Sequence, residues 1–197
     1  MADDPLKDPP LRLFLAIPFH ELFFRELEAV LERLSRRIPD VQWVRPGQTH
    51  LTLHFFGTTP SDDLEKIDHA IRQVAVNFRP FPVCLEPIGG FPDLNHPRVI
   101  WVGVRDQAGQ ILSLHQAVRE KVSRLGFPVE ERPFHAHVTL GRVKKKIADP
   151  ETTIAKMGFQ FPTGTKTLDR FHLYQSHCLP GGARYEILKT YPFPTTP

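Results

Sequence analysis

Residues 50–57 read HLTLHFFG, and residues 135–142 read HAHVTLGR. The pattern His-x-Thr-Leu therefore occurs once in each half of the chain, with its histidine at His50 in the first copy and at His137 in the second. Both copies alternate polar and apolar residues, a spacing that is typical of a strand with one buried face. Each copy thus predicts a strand that presents an imidazole beside a hydroxyl.

The segments that precede the two motifs are also alike. LRLFLAIP (11–18) and PRVIWVGV (97–104) are short apolar runs that predict buried strands, and a stretch with helical spacing of apolar residues follows each of them. The shared order of strand, helix and motif indicates a duplicated unit. We expect repeat units at about residues 11–78 and 97–160, followed by a C-terminal hairpin, all within a single domain that spans residues 1–197.

The order of these elements favours the α+β class. We predict a duplicated two-lobe fold in which antiparallel-rich sheets form a central cleft and helices cover the outer faces. Side chains two residues apart on a strand share a face, so His50 should point the same way as Thr52, and His137 the same way as Thr139. A near-two-fold relation would bring both pairs together across the cleft.

The composition is that of an ordinary globular protein, because 41% of the 197 residues are hydrophobic and 24% are charged. No apolar run approaches the ~20 residues of a membrane span, and the first ten residues, MADDPLKDPP, do not read as a signal peptide. We therefore expect a cytoplasmic protein without membrane association. Cys84 and Cys178 lie far apart with no CxxC spacing, which predicts free thiols.

The repeated residues suit acid and base chemistry. At neutral pH one histidine can act as general base while a second, protonated histidine acts as general acid. Displacement at phosphorus needs both roles on opposite sides of the phosphorus, and threonine hydroxyls can donate hydrogen bonds to its non-bridging oxygens. No metal is required for such a reaction. The sequence contains no Gly-rich phosphate loop, GxSxG motif or zinc-type CxxC pair.

With these motifs, the chain resembles the 2H phosphoesterase superfamily, and within it the RNA 2',3'-cyclic phosphodiesterases, formerly called 2'-5' RNA ligases. The likeness spans nearly the whole chain. It includes the opening strand LRLFLAIP, the segment GGFPDLNHPRVIWVGV and the closing segment LYQSHCLPGGARYEILKTYPF.

The resemblance implies a role for each motif residue. His50 and His137 would be the catalytic pair, Thr52 and Thr139 would hold the phosphate, and Arg142 would add a charge-assisted contact to it. The expected partner is RNA or a nucleotide that ends in a 2',3'-cyclic phosphate, and the expected product is a 2'-phosphate. If an RNA 5'-hydroxyl replaces water, the same geometry would make a 2'-5' linkage. We expect no cofactor and a monomeric enzyme.

Two alternatives remain open at this point. His54 and His135 should share a face with the motif histidines, so the four imidazoles could line one cleft and form a divalent metal site. The second alternative is a module that binds RNA ends without turning them over. The chain also departs from the family's pattern at Ala136, where proline is common, and at His54. Several aromatic residues are interpreted as core residues and not as platforms for bases: Trp43, Phe55, Phe56, Trp101 and Tyr185.

Overall fold

The computed structural model describes residues 9–161, 164–179 and 182–195. Nine strands are found in these residues: β1 Leu11–Ile17, β2 Val41–Trp43, β3 Leu51–Thr59, β4 Phe81–Phe91, β5 Val99–Arg105, β6 His137–Val143, β7 Lys166–Leu168, β8 Arg170–Leu179 and β9 Gly182–Pro192. The α-helices are α1 Phe19–Arg37, α2 Leu64–Ala75, α3 Gln110–Arg124 and α4 Pro150–Lys156. A short 3-10 turn, Pro46–Gln48, precedes β3.

The strands form two sheets, in the orders β3-β1-β8-β9 and β2-β6-β5-β4-β7. Every strand pair is antiparallel, which confirms the predicted α+β class with antiparallel sheets. Each motif strand pairs with the strand that opens its own repeat, β3 with β1 and β6 with β5. Strands β8 and β9 pair as far as Leu179 and Gly182, whereas Pro180 and Gly181 lie outside the described residues.

Strand β1 shows how the core and the cleft divide the faces of a sheet. Leu13, Leu15 and Ile17 are fully buried and belong to the main core, together with the buried faces of the helices. Phe14 and Ala16 alternate with them and pack in a separate small cluster on the opposite face. The helices therefore cover one face of the sheet, and the other face is available for a site.

The described part of the chain contains no helix with the length and hydropathy that a membrane crossing requires. Cys84 and Cys178 are both free thiols, as the sequence predicts.

A β-bulge follows the threonine of each motif. In β3, Thr52 pairs with Ala16 and His54 with Leu15, so Leu53 is the extra residue. In β6, Thr139 pairs with Trp101 and Gly141 pairs with Ile100, so Leu140 is the extra residue. A bulge of one residue reverses the alternation of side chains beyond it.

The bulge in β3 overturns the expectation that His54 shares a face with His50. Because His54 lies opposite Leu15, its side chain points into the core. It is only 8% exposed, lies edge-on to Phe56 at 4.6 Å, and is close enough to His115 of α3 for the two charges to interact. His54 therefore belongs to the interface between β3 and α3.

Because of this position, His54 should make the stability of the fold sensitive to acid. Its Nε2 has no hydrogen-bond partner among the described residues, and burial lowers its pKa to about 4, with repulsion from His115 as a smaller cause. The pKa of His115 is also lowered, by burial and by Arg119. In the unfolded chain the pKa of His54 is near 6.5, so the unfolded state binds a proton more readily than the folded state. The free energy of unfolding is therefore at its full value above pH 6.5 and decreases as the pH falls towards 4.

We predict that His54→Leu reduces the loss of unfolding free energy between pH 7 and pH 5 by about 2 kcal/mol. Urea denaturation at the two pH values measures this difference. His69→Gln, which changes an exposed histidine on α2, is the matched control and should lose as much stability as the original chain. Equal losses in the His54→Leu variant and the original chain would show that His54 is not the acid-sensitive group.

Candidate active site

The main chain orients His50. Its Nδ1–H donates a hydrogen bond of 2.8 Å to the carbonyl oxygen of Gln48, the last residue of the 3-10 turn before β3. A carbonyl can only accept, so the neutral ring carries its proton on Nδ1 and leaves Nε2 free to take one up. The backbone N–H of His20, in the first turn of α1, binds the carbonyl of Thr49 at 3.0 Å and fixes the strand start.

The second histidine repeats this arrangement. The Nδ1–H of His137 donates a hydrogen bond of 2.7 Å to the carbonyl oxygen of His135, again two residues earlier in the chain. The two imidazoles therefore have the same tautomer and the same kind of anchor. Both orienting groups are backbone carbonyls, so no carboxylate is needed to hold either ring.

The threonines lie beside the histidines on the cleft faces of their strands. Thr52 pairs with Ala16, which is on the cleft side of the first sheet, and Thr139 pairs with Trp101 in the second sheet. Neither hydroxyl makes a hydrogen bond to another residue that the structure describes. Both hydroxyls are therefore available to a ligand.

Arg142 reaches the cleft because of the bulge in β6. Strict alternation would place it on the face opposite to His137, but the extra residue Leu140 pairs Arg142 with Val99, on the same face as Trp101. Its charge lowers the pKa of both His50 and His137, which shows that the guanidinium lies near the two rings. It forms no ion pair with any residue in the described ranges.

Aromatic rings surround both histidines, and the sequence reasoning did not assign them to the site. Phe14 lies 5.1 Å from His50, and Tyr185 stands edge-on to it at 5.2 Å. Phe91 stands edge-on to His137 at 4.9 Å, and Trp101 lies 6.1 Å from it. These residues lie outside the two motifs, so the motif repeat alone carries no signal for them.

The electrostatics of the cleft favour an anion. Burial lowers the pKa of His50 to about 4; the Gln48 carbonyl raises it in part, and the charges of His20, His137 and Arg142 lower it further. Burial also lowers the pKa of His137; the His135 carbonyl raises it in part, and the charges of His135 and Arg142 lower it further. No carboxylate is among the groups that shift either pKa. An anionic ligand would supply the negative charge that the described residues do not provide.

The site is an open cleft with only a small recess. A cavity of about 120 Å³ lies beside His50, with His20, Tyr174 and Tyr185 in its wall. This volume is well below the ~300 Å³ or more of pockets that enclose small molecules. The geometry therefore suits a ligand of which only one end enters the site.

The four-histidine metal site is not supported by the side-chain positions. His54 points into the core, away from His50, and the ring of His135 packs against Trp101 at 4.6 Å. Among the described residues, no three His, Cys, Asp or Glu side chains are grouped so that they could hold a metal ion.

The 2'-5' RNA ligase superfamily matches residues 23–177 of the chain. The chain belongs to this superfamily. The resemblance seen in the two motifs is thereby confirmed.

Two relatives of the chain share the same name, RNA 2',3'-cyclic phosphodiesterase. The chain is 32% identical over 181 residues to the RNA 2',3'-cyclic phosphodiesterase of Archaeoglobus fulgidus, a match that covers 92% of this chain and 99% of the relative. It is also 32% identical over 179 residues to the protein of the same name from Thermotoga maritima, covering 90% and 93% of the two chains.

Solved structures show the same fold. TT0787 of Thermus thermophilus aligns with a TM-score of 0.74 and 26% identity, over 92% of this chain and 97% of that one. LigT of Escherichia coli in its apo form aligns with a TM-score of 0.70 and 26% identity, over 96% and 100% of the two chains. LigT has also been solved in complex with 3'-AMP.

We predict that long-range ¹H–¹⁵N NMR spectra of the free protein show the Nδ1–H tautomer for both His50 and His137, with His50 titrating near pH 4. Inorganic phosphate should raise both pKa values, because its negative charge stabilises the imidazolium forms. His50→Gln and His137→Gln assign the two signals. A His50 that titrates near pH 6.5 and does not respond to phosphate would contradict the described electrostatics.

Proposed function

We propose that this chain is an RNA 2',3'-cyclic phosphodiesterase that opens the cyclic phosphate to a 2'-phosphate. The observation that carries the proposal is the matched pair of imidazoles, each anchored through Nδ1 to a carbonyl and each beside a threonine on a cleft face. The family membership and the names of the relatives point to the same reaction.

Two histidines suffice for the proton transfers. His137 acts as general base and takes a proton from water as its oxygen attacks phosphorus. His50, in its protonated form, donates a proton to the departing 3' oxygen, so the products are a 2'-phosphate and a 3'-hydroxyl. The anionic substrate raises the pKa of His50 above its value in the free protein and so favours the protonated acid.

The other three site residues stabilise charge on the phosphate. The hydroxyls of Thr52 and Thr139 donate hydrogen bonds to the non-bridging oxygens, where negative charge grows in the transition state. Arg142 has no carboxylate partner in the described ranges, and its guanidinium neutralises part of that charge. These contacts make a metal ion unnecessary for the reaction.

The same geometry permits ligation. When the 5'-hydroxyl of a second RNA occupies the position of water, His137 removes its proton and the product is a 2'-5' phosphodiester. The small recess beside His50 supports this proposal, since it can take in only one end of a ligand. Both histidines come from one chain, so the proposed active site is complete within a monomer.

The experiment that tests the function is product analysis in EDTA. We predict that purified protein converts a short RNA with a 2',3'-cyclic phosphate end into the 2'-phosphate, identified by phosphorus NMR. A 3'-phosphate would reverse the assignment of the leaving oxygen. Activity that stops in EDTA and returns with zinc or manganese would refute the two-histidine mechanism. Tight binding without any product, with or without metal, would indicate a module that only holds RNA ends.

Substitutions in the motifs should separate chemistry from binding. We predict that His50→Ala and His137→Ala each abolish most turnover, because each removes one proton-transfer group. Thr52→Ala and Thr139→Ala should each cost about 1.5 to 3 kcal/mol in kcat/KM, the loss of one hydrogen bond to a charged group. Steady-state rates with the cyclic phosphate substrate measure both effects. Rates like those of the original chain in either histidine variant would rule out the mechanism.

A further inference from the structure

The recess beside His50 extends away from the second sheet. Strand β3 meets β6 of the second sheet and forms one edge of the first sheet, whereas β8 and β9 lie towards the other edge. The recess lies over β8 and β9, so it is on the side of His50 that is remote from His137. Besides His50, the described residues that line it belong to α1, the 3-10 turn, β8 and β9: His20, Gly47, Gln48, Tyr174, Tyr185 and Ile187.

His20 presents an available ring nitrogen in the wall of the recess. Its Nδ1–H donates a hydrogen bond of 3.2 Å to the carbonyl oxygen of Thr49, so Nε2 is left for another partner. The Oε1 atom of Glu21 lies 4.0 Å from His20 Nε2, too far for a hydrogen bond, and the Glu21 carboxylate is bound by Arg170 instead. In its protonated form, His20 can therefore donate Nε2–H to a ligand oxygen.

Tyr185 supplies a second donor. Its ring stands edge-on to His50 at 5.2 Å and to Phe14 at 5.0 Å, which fixes it in the wall. Its hydroxyl makes no hydrogen bond to another residue that the structure describes. The positive charges of Arg12 and Arg142 both act on this hydroxyl. Tyr185 thus offers an O–H donor in a position where an anion is favoured.

Arg12 makes the neighbourhood of Tyr185 cationic. It forms no ion pair with any residue of the described ranges, and its guanidinium lies 4.9 Å from the ring centre of Phe55. The Phe55 side chain is 49% exposed, so Phe55 is not the core residue that the sequence analysis expected. The charge of Glu21 is already paired with Arg170. An anionic group in the recess would therefore meet unneutralised positive charge at Tyr185.

The identity of the leaving oxygen determines which part of the substrate faces the recess. Under the proposed mechanism His50 protonates the 3' oxygen, so the 3' carbon lies next to His50. The 4' carbon is bonded to the 3' carbon and carries the 5' substituent, whereas the base is attached to the 1' carbon, next to the 2' carbon. The 5' substituent of the terminal nucleotide therefore lies on the His50 side of the sugar, where the recess opens.

We propose that the recess between His20 and Tyr185 binds the phosphodiester on the 5' side of the terminal nucleotide. This inference rests on the proposed function, because that function assigns the 3' oxygen to His50. The two donors, Nε2–H of His20 and Oη–H of Tyr185, bind the non-bridging oxygens of this phosphodiester.

The size of the recess agrees with this ligand. A cavity of about 120 Å³ accepts a phosphate group but is too small to enclose a nucleoside. Ile187 is 46% exposed in the same wall, so the preceding nucleotide leaves the recess towards solvent. The subsite therefore favours the end of an RNA chain over a mononucleotide without a 5' phosphate.

The test compares two ligands that differ only in a 5' phosphate. Isothermal calorimetry should give a dissociation constant about tenfold lower for adenosine 2',5'-bisphosphate than for adenosine 2'-monophosphate in the original chain. Tyr185→Phe removes the hydroxyl and keeps the ring, and His20→Asn removes Nε2 but keeps an amide that can reach the Thr49 carbonyl. Each substitution should reduce the ratio to about three, and the double variant to about one, because each removes one of the two donors.

His69→Gln, at the exposed histidine of α2, is the matched control and should keep the ratio of the original chain. An unchanged ratio in both single variants would overturn the subsite, even if both affinities fall together, since that pattern indicates a structural role only. Equal affinities for the two ligands in the original chain would also overturn it. Binding of these ligands needs no turnover, so the two failures differ: without the subsite the cyclic phosphate is still opened, and without the proposed reaction no 2'-phosphate forms, whatever the ratio.

Discussion

The bulge after each motif threonine is the constraint on which the site depends. One extra residue, Leu53 in β3 and Leu140 in β6, follows the histidine and threonine that share the cleft face and reverses the alternation beyond them. Both leucines remain in the core. The residue that would point away from the cleft in a regular strand, Phe55 in β3 and Arg142 in β6, lies on the cleft face instead. Without the bulges, Arg142 would point away from the cleft and His54 would point into it.

The anchoring of the two imidazoles has a consequence for their chemistry. A carbonyl acceptor on Nδ1 fixes the ring and stabilises its protonated form, whereas burial and the neighbouring cations oppose protonation. In the free protein burial and the neighbouring cations dominate, so the pKa values of both imidazoles are lowered. A phosphate bound in the cleft would reverse the balance, so under the proposed mechanism the protonated acid would form only when the substrate is bound.

The sequence predicted the α+β class, sheets rich in antiparallel strands, and the placement of each motif histidine beside a threonine on one face of its strand, because a repeated pattern indicates which residues belong together. It failed at His54, since period-two alternation places His54 beside His50 and no residue type signals the bulge. It also missed Phe14. In the sequence Phe14 resembles the other apolar residues of a buried strand, and only the structure places it on the cleft face, in a cluster separate from the main core.

The two copies of the motif agree at the histidine and the threonine and differ just beyond the bulge. A two-fold arrangement suits the symmetric part of the reaction, in which one oxygen enters and another leaves on opposite sides of phosphorus. A nucleotide is not symmetric, because it extends from the phosphate towards a base on one side only. Arg142 at one position and Phe55, which is 49% exposed, at the equivalent position make the two walls of the cleft chemically different, so an asymmetric ligand would meet a cationic group on one side and an aromatic ring on the other.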